Sequence, residues 1–494
     1  MITSSVGSTS DVDHVAFLTK RERRRSSSRW SRRIAVDLVG FLDMIAVVAG
    51  GMVPAAVYAV GGGLPVDWLK HLQVSFVAAI IVYGCLKSYG MYDTGRMHDF
   101  PVRPSRLAAS LGIAFIAVMG LGLPFAPKEM HLWIWYGVWL ATSFMLLLDV
   151  RLIARSYLMR ASRAGAFDTR VAVYGSGLIA RRVEQHLRDP EIGTEFVGLF
   201  DDRRDGMRVD YRGLEPSGRL DDLVRVARSG AVDQIIIALP QAADERTQAI
   251  ARRLEPLPVS LHIVTHIASD LVEAGPAHRV SNVGSVGLID VKAKPLADWS
   301  RYVKAVEDYI LASILLILVM PLLVVVALLI KLDSPGPVLF RQRRRGLNHQ
   351  VFEVLKFRTM HVLEDGDHIR QAVRNDPRVT RIGGLLRWLS IDELPQLVNV
   401  LRGDMSLVGP RPHALAHDHE FEETVERYAN RHQVKPGLTG LAQISGCRGA
   451  TETRDKIVRR LTLDLEYVNT WSLWLDFRIL ARTVAMVVTG RDAY

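Results

Sequence analysis

The run Ser390-Ile391-Asp392-Glu393-Leu394-Pro395-Gln396 sets two adjacent carboxylates beside a helix-breaking proline, with basic runs on both sides of it in the chain. Upstream lie Lys356-Phe357-Arg358-Thr359-Met360 and Asp376-Pro377-Arg378-Val379-Thr380-Arg381; downstream lies Gly403-Asp404-Met405-Ser406-Leu407-Val408-Gly409-Pro410-Arg411-Pro412. Carboxylates among cations suit a multiply charged anion held on a divalent metal, which is phosphate chemistry. Local rules offer a second reading of the same residues. Ser390-x-x-Glu393 has the form of a capping box, acids are favoured in a first turn, and Pro395 sits comfortably only there. Either way the carboxylates stand at a helix N-terminus, so the two readings are compatible. His413, His417 and His419 bring metal-ligand chemistry, but no carboxylate spacing fixes a geometry around them, and they read as surface or structural residues.

The rest of the chain reads as the apparatus that brings this spot to a membrane. At 494 residues it is too long for one core. A net charge of +10 and a mean hydropathy of +0.14 coexist because apolar runs are separated by arginine-rich stretches, a pattern that fits a membrane protein with cytoplasmic parts rather than a nucleic-acid binder. The two cysteines support neither a disulfide framework nor a Cys-based zinc site. Residues 1–33 form a polar, Ser-rich tail ending in a basic run, expected to be disordered and to stay in the cytoplasm; the apolar run after it is too long for a signal peptide. Apolar segments at 34–60, 71–90, 106–125 and 131–154 are each long enough to cross a bilayer, and together make a four-helix unit over 34–155. Lys87, Arg96, Arg103 and Arg106 in one loop, and Arg151, Arg155, Arg160 and Arg163 after the last segment, put both ends of this unit in the cytoplasm.

A soluble Rossmann-like domain is expected over 168–290. Arg170 to Tyr174 reads as a buried strand, Gly175-Ser176-Gly177-Leu178-Ile179-Ala180 as a glycine turn into a helix, and Val197 to Phe200 as a second strand ending at Asp201-Asp202, where a ribose-binding acid falls in a dinucleotide fold. Gly175 and Gly177 are therefore weak cofactor-binding candidates, since the same glycines serve plain strand-to-helix packing. A fifth apolar segment, Tyr309 to Ile330, has Pro321 at its middle and positive charge at both ends. A straight crossing would carry the second basic cluster outside, against positive-inside logic. A helix broken at Met320-Pro321 instead enters and leaves on one face, as a re-entrant element over 301–332; a proline-kinked spanning helix is the other reading. Residues 333–494 then form a compact α/β domain of about 160 residues, within the ordinary size of one domain. In it Ile382 to Leu389 and Trp471 to Val488 read equally as core helices or as helices along the lipid interface. Arg341 to Arg345 read as a solvated face or a contact to anionic headgroups.

From about Leu332 onward the chain resembles the bacterial polyprenyl-phosphate sugar-1-phosphate transferases, the monotopic phosphoglycosyl transferases. The resemblance rests on the runs quoted above, on Asp333-Ser334-Pro335-Gly336-Pro337, on Phe340-Arg341-Gln342 with Arg344 and Gly346, and on Lys435-Pro436-Gly437-Leu438-Thr439-Gly440-Leu441-Ala442-Gln443. The whole chain resembles the large form, in which four membrane helices and a Rossmann-like domain precede the catalytic domain. His413-Ala414-Leu415-Ala416-His417 with Arg448-Gly449 is similar to members that start exopolysaccharide or capsule synthesis with glucose.

The resemblance implies a mechanism and a site. Asp392 is the nucleophile on the β-phosphorus of a UDP-sugar, and Asp392 with Glu393 holds Mg2+. Arg387 and Arg411 contact the phosphate and the nucleotide side, and Lys356, Arg358 and Arg378 are further phosphate ligands. Undecaprenyl phosphate is the acceptor, at the cytoplasmic face of the bacterial inner membrane. The implied assembly is a homodimer feeding downstream glycosyltransferases, with the 168–290 domain serving pairing or regulation. Galactose or another UDP-sugar remains an alternative donor. A membrane NAD-dependent epimerase or dehydratase needs a Tyr-x-x-x-Lys pair after the cofactor fold, and the only such spacing, Tyr83 to Lys87, lies in an apolar segment. A non-catalytic regulator would not need the Asp392-Glu393 pair at all.

Overall fold

The structure, a computed structural model, describes residues 31–60, 66–93, 100–120, 132–189, 193–202, 216–240, 244–265, 280–283, 286–292, 294–361, 376–447 and 453–489. The basic tail expected over 1–33 lies almost wholly outside the described residues, as do Arg96 and the Arg448-Gly449 pair. Two compact units account for the chain: Ser26–Thr169 with Arg188–Glu195, and Arg170–Leu187 with Phe196–Tyr494.

The first unit carries helices α1 (Arg32–Val60), α2 (Trp68–Ser88), α3 (Pro104–Gly120) and α4 (Leu132–Arg163). Helices α1, α2 and α4 are long and apolar enough to span a membrane, whereas α3 is described only to Gly120, short of its expected end at 125. Small residues let the helices approach: a Cβ on Gly50 would lie 2.6 Å from the Ser143 Cα, and one on Gly51 would meet Ser75. Among these apolar surfaces Arg151 and Asp43 are both fully buried and paired at 2.6 Å, with the Tyr92 hydroxyl donating to the same carboxylate at 2.7 Å. A charge so placed is tolerated because each partner satisfies the other, so this trio locks α1 to α4.

In the second unit the strands β1 (Thr169–Tyr174), β2 (Thr194–Phe200), β3 (Gln234–Ile237), β4 (Ser260–Thr265), β5 (Val280–Val283) and β6 (Val286–Lys292) form one sheet in the order β2-β1-β3-β4-β6-β5. Strands β1, β3 and β4 are parallel, with Val171–Tyr174 in register with Gln234–Ile237, and helices α5 (Leu178–Leu187), α6 (Leu220–Arg228) and α7 (Asp244–Leu254) connect them. This is the expected Rossmann-like core. The antiparallel β5–β6 edge, which extends the sheet to Lys292, goes beyond the expected elements, although the two residues Gly284-Ser285 between the strands are a hairpin signal in the sequence.

Helix α8 (Trp299–Asp333) is a single element of 35 residues with Pro321 inside it. Pro321 does not end the helix, so the change of direction that a re-entrant course requires would be a bend within one element; a proline costs a helix one hydrogen bond and one steric adjustment, which a membrane helix absorbs. Both ends of α8 are fastened to the same domain. Near its start Asp308 accepts hydrogen bonds from Ser406 Oγ and Leu407 N, both at 2.9 Å, and Lys304 pairs with Asp476 at 2.7 Å. At its end Arg358 donates to the carbonyls of Ser334 and Pro335, each at 2.6 Å, while Asp333 accepts from Ile382 N at 3.4 Å.

That domain is built on two small sheets, the hairpin β7 (Leu339–Arg345) with β8 (Val351–Phe357), and the parallel pair β9 (Ser406–Val408) with β10 (Gly437–Thr439). Helices α9 (Arg381–Trp388), α10 (Gln396–Arg402), α11 (Leu415–Thr424), α12 (Leu441–Ile444), α13 (Arg454–Thr470) and α14 (Leu473–Thr489) pack around them. Strand alternation divides the Arg341–Arg345 run. Arg341 and Arg343 are exposed, whereas Arg344 reaches Gln342 at 2.8 Å and the Pro412 carbonyl, and Arg345 pairs with Glu422. Neither a solvated face nor a lipid contact therefore describes the whole run. Helices α9 and α14 combine both expected characters: Leu386 and Ile479 are core, while Leu385, Trp388, Trp474 and Val484 are exposed.

The free edge of β8 is completed by a side chain. Asn399, fully buried on α10, accepts from Leu355 N at 3.0 Å and donates to the Glu353 carbonyl at 2.7 Å. Asn399→Leu is expected to cost about 2–4 kcal/mol, because it strands two main-chain groups in the core. An unchanged melting temperature of the purified protein would show that those groups find other partners.

Candidate active site

The carboxylate pair sits where three short elements meet. Helix α9 ends at Trp388, Ser390 takes the left-handed conformation (φ 58°), and Ile391–Glu393 make a single 3-10 turn before Pro395 opens α10. A non-glycine residue at positive φ is a local strain that surrounding contacts must hold. The expected capping box does not form: Ser390 makes no side-chain cap bond and Glu393 points elsewhere. The expectation of a helix start is otherwise met, since Pro395 occupies the turn before α10 at φ −60°.

Glu393 is saturated by cations. Lys356 Nζ, from β8, reaches Oε1 at 2.8 Å, and Arg411 Nη1 reaches Oε2 at 2.9 Å while its Nη2 also bonds Oε1. Burial alone would raise this carboxyl, but Arg411 and Lys356 hold it well below the ordinary carboxylate range. Asp392 is the opposite case. Its removal from water and the adjacent Glu393 charge push it up, and Lys356, Arg387 and Arg411 offset this only in part. Burial lowers the Lys356 ammonium, with Glu393 opposing. Two neighbouring acids are thus driven apart: one is a fixed anion holding two cations, the other a less stabilised carboxylate with no hydrogen-bonding side chain among the described residues.

Arg411 is positioned by backbone packing. The Gly409 amide donates to the Thr439 carbonyl at 2.8 Å and the Gly437 amide to the Pro410 carbonyl at 3.0 Å, so the Gly-Pro-Arg-Pro loop is stitched to β10. A Cβ at Gly437 would lie 2.1 Å from the Gly409 nitrogen, which explains why both runs carry glycine. Arg431, in the 3-10 segment Tyr428–Gln433, donates to the Arg411 carbonyl at 2.5 Å and pairs with Asp464 at 3.0 Å. The sequence carried no motif that marks Arg431.

The other expected site residues divide. Arg387, at the end of α9, acts on Asp392 by charge and has its nearest side-chain contact in the Met360 sulfur at 4.0 Å; among the described residues no carboxylate bonds it. It is a cation held ready for an anion. Arg358, expected to bind phosphate, does something else: nearly all of its surface is buried and its guanidinium caps the C-terminal carbonyls of α8. Gly336 has φ +129°, and a Cβ there would overlap the guanidinium, so the Pro-Gly-Pro turn is a socket for Arg358. Arg378 clasps Asp376 two residues before it, with Nε and Nη2 at 3.0 and 2.8 Å. His413 bonds Tyr428 and Arg431 and is structural, while His419 is a surface residue beside Glu423.

For a metal, no group of three or more His, Cys, Asp or Glu side chains converges among the described residues. With both Glu393 oxygens taken, the paired ligand set expected from the sequence reduces to Asp392. One carboxylate completed by substrate phosphates and water is a donor set that fits magnesium. In the α/β domain Gly175 has φ +123° because a Cβ would lie 2.5 Å from the Ala238 carbonyl, whereas Gly177 faces open space. The candidate ribose acid Asp201 is buried and accepts from Ser176 Oγ at 2.6 Å; Asp202 accepts from the Tyr174 hydroxyl at 2.9 Å and Leu220 N at 2.9 Å. Packing therefore accounts for the glycine turn and the acids without a ligand.

Two family descriptions match the chain. Residues 299–490 match the family described as bacterial sugar transferase, and residues 87–265 match the one described as CoA-binding domain. The chain is 34% identical over 481 residues to a protein of Xanthomonas campestris pv. campestris named UDP-glucose:undecaprenyl-phosphate glucose-1-phosphate transferase, covering 93% of this chain and 95% of that one. A protein of the same name from Escherichia coli (strain K12) is 39% identical over 326 residues, 66% of this chain and 68% of the other. The exopolysaccharide production protein PSS of Rhizobium leguminosarum bv. phaseoli is 50% identical over 190 residues, 38% of this chain and 94% of the other.

Proposed function

The chain belongs to the bacterial sugar transferase family, and on that premise we propose that it transfers glucose 1-phosphate from UDP-glucose to undecaprenyl phosphate, releasing UMP, as the first membrane step of exopolysaccharide synthesis. The observation that carries the chemistry is the split between the two acids: Glu393 is locked by Lys356 and Arg411, leaving Asp392 as the carboxylate with a free face.

An Asp392 oxygen attacks the β-phosphorus of the donor, the bond to the bridging oxygen breaks, and UMP leaves with that electron pair. The glucose phosphate stays on Asp392 as an acyl phosphate. An oxygen of undecaprenyl phosphate then attacks the same phosphorus and the Asp392 carboxylate departs. Dividing one displacement into two keeps two polyanions from having to meet at once. Asp392 would be the protein ligand of a magnesium ion, which would supply neutralisation of the phosphate charge. Arg387 and Arg411 flank the reacting phosphate, where their effect is largest as charge moves in the transition state. A raised carboxyl suits the nucleophile, because weaker stabilisation of its charge leaves more to be gained on attack.

The fastening of both ends of α8 to one domain supports the re-entrant reading. The helix is long enough, at about 50 Å, to cross a hydrocarbon layer of roughly 30 Å. A simple crossing would put its two ends on opposite faces, whereas here Asp308 and Ser334 both serve the catalytic domain. On this reading the domain lies on the cytoplasmic face of the inner membrane, as the basic residues flanking α8 favour, and the exposed Trp388 and Trp474 meet the lipid interface. Regulation through the α/β domain is supported by its contact to the segment behind Arg411: Gln433 donates to the Glu255 carbonyl at 2.9 Å and Arg427 pairs with Glu255 at 3.3 Å. Its sheet thereby bears on the segment whose Arg431 holds Arg411. Pairing into dimers and supply of downstream glycosyltransferases complete the reading.

Purified protein in nanodiscs with magnesium and undecaprenyl phosphate is expected to release UMP from UDP-glucose in preference to UDP-galactose and UDP-N-acetylglucosamine. Release from another donor alone would reject glucose; silence across the panel in folded protein would reject the transferase.

A further inference from the structure

Behind Arg411 lies a second layer of buried cations that the reaction as derived leaves unused. Arg460, on α13, is 4% exposed, and its Nε has no hydrogen-bond partner. Among the described residues its one hydrogen-bond contact is Nη1 to His413 Nε2 at 3.2 Å. The other ring nitrogen of His413 is also faced by a donor, since Arg431 Nη1 lies 2.8 Å from Nδ1. Burial, with arginines around it, holds this imidazole well below the ordinary histidine range, so it is neutral and offers one acceptor nitrogen to two arginines.

One guanidinium must go short. Arg431 does not depend on His413, because it pairs with Asp464 at 3.0 Å and donates to the Tyr428 hydroxyl at 2.7 Å. The deficit therefore falls on Arg460. Arg344 stands in a similar position, bonded to the neutral acceptors Gln342 and the Pro412 carbonyl and to no carboxylate among the described residues. Both guanidinium groups are lowered to about 10 by burial and then by the Arg411 charge, which Glu393 and Asp418 offset only in part at Arg344 and Asp464 only in part at Arg460. Buried polar groups are nearly always satisfied, and one that is not calls for the partner that completes it.

The geometry points to Arg460, with Arg344, as a second phosphate subsite beside Arg411, which receives the phosphate that stays on uridine when UMP departs. This rests on the transfer reaction proposed above, in which Arg387 and Asp392 take the phosphate that moves. Arg411 neighbours both groups: its charge acts on Asp392 and on Arg344 and Arg460, Arg344 bonds the carbonyl of the adjacent Pro412, and Arg460 bonds His413 one residue further on. A planar guanidinium matches a phosphate through two parallel hydrogen bonds, which neither a sugar hydroxyl nor a polyprenyl chain offers. The nucleotide is favoured over the lipid phosphate because the stretch of α13 around Arg460 packs its Ile457 and Leu461 with Phe421 and Tyr428, whereas α13 joins the cluster that holds Ala312 of α8 only further on, at Tyr467 and Val468.

The test is UMP binding to the full chain in nanodiscs, with Arg460→Gln and Arg460→Lys beside the parent and melting temperatures measured without nucleotide. Arg460→Gln is expected to weaken UMP by about tenfold or more and to raise KM for UDP-glucose in parallel, leaving KM for undecaprenyl phosphate unchanged, with Arg460→Lys in between. A lower melting temperature with unaltered UMP affinity would reduce Arg460 to a structural residue and overturn the subsite. A shift in KM for undecaprenyl phosphate alone would assign these arginines to the acceptor, also overturning it. If Arg460→Gln fails to fold, unchanged UMP affinity in Arg460→Lys decides against the subsite by itself. Failure of the parent protein both to bind UMP and to release it would instead reject the underlying transferase reading.

Discussion

Asp392→Asn is expected to lower UMP release by roughly 10³-fold or more while the protein stays folded and still binds UMP. The size follows from the role. An amide has the shape of the carboxylate but is a poor nucleophile for phosphorus, and no second acid can take over, because Glu393 is held by Lys356 and Arg411 through both of its oxygens. Incubation with donor labelled in the sugar would trap label on the parent protein when undecaprenyl phosphate is withheld, and none on the variant. Thermal stability separates this from misfolding. Asp392 is raised by burial and by Glu393, so in the folded state its ionised form is disfavoured relative to the unfolded chain. Such a group costs stability above its folded-state pKa, and the cost is relieved as pH falls through that value. Asparagine removes the charge, and in magnesium-free buffer near neutral pH the variant should melt no lower than the parent. Substantial residual activity, or label on the variant, would sink Asp392 as the nucleophile.

Glu393→Gln is expected to reduce kcat/KM by about 10²–10³-fold, mostly through binding of UDP-glucose, with the magnesium concentration for half-maximal activity unchanged. The carboxylate orients Lys356 and Arg411 from β8 and from the Gly-Pro-Arg-Pro loop; glutamine offers one acceptor oxygen and no charge, so the two cations lose their common anchor. The magnesium dependence discriminates the roles. A metal ligand, when removed, raises the metal requirement, whereas a residue that only positions cations leaves it alone. A large rise in the magnesium requirement would return Glu393 to the metal site that the bare Asp-Glu adjacency suggests.

Arg358 and Arg387 show where sequence reading reached its limit. Both lie in basic runs near the acids, and each has the chemistry of a phosphate ligand. Only Arg387 comes to Asp392; Arg358, on the strand extension after Phe357, turns into the socket at Ser334 and Pro335 and fastens the end of α8. No local pattern shows where Arg358 goes, because what its guanidinium meets is a segment more than twenty residues away in the chain, whereas Arg387 lies only five residues before Asp392. Arg460, Arg431 and Asn399 were missed for the same reason. Each acts through contacts distant in the chain, and a lone Arg or Asn reads as a solvated position.

The sequence by itself determined the four apolar segments, the α/β core with its glycine turn, the fifth membrane helix, and the acid pair among cations that names the chemistry. These are carried by hydropathy, periodicity and close spacing, all of them properties of neighbouring residues. Only the tertiary structure decided that Pro321 does not end α8, that Arg358 caps a helix, and that Glu393 is engaged by Lys356 and Arg411 while Asp392 has no hydrogen-bonding side chain among the described residues. Those outcomes turn on which charges share a buried volume and which are removed from water there, and burial is a property of the folded chain that no local spacing records.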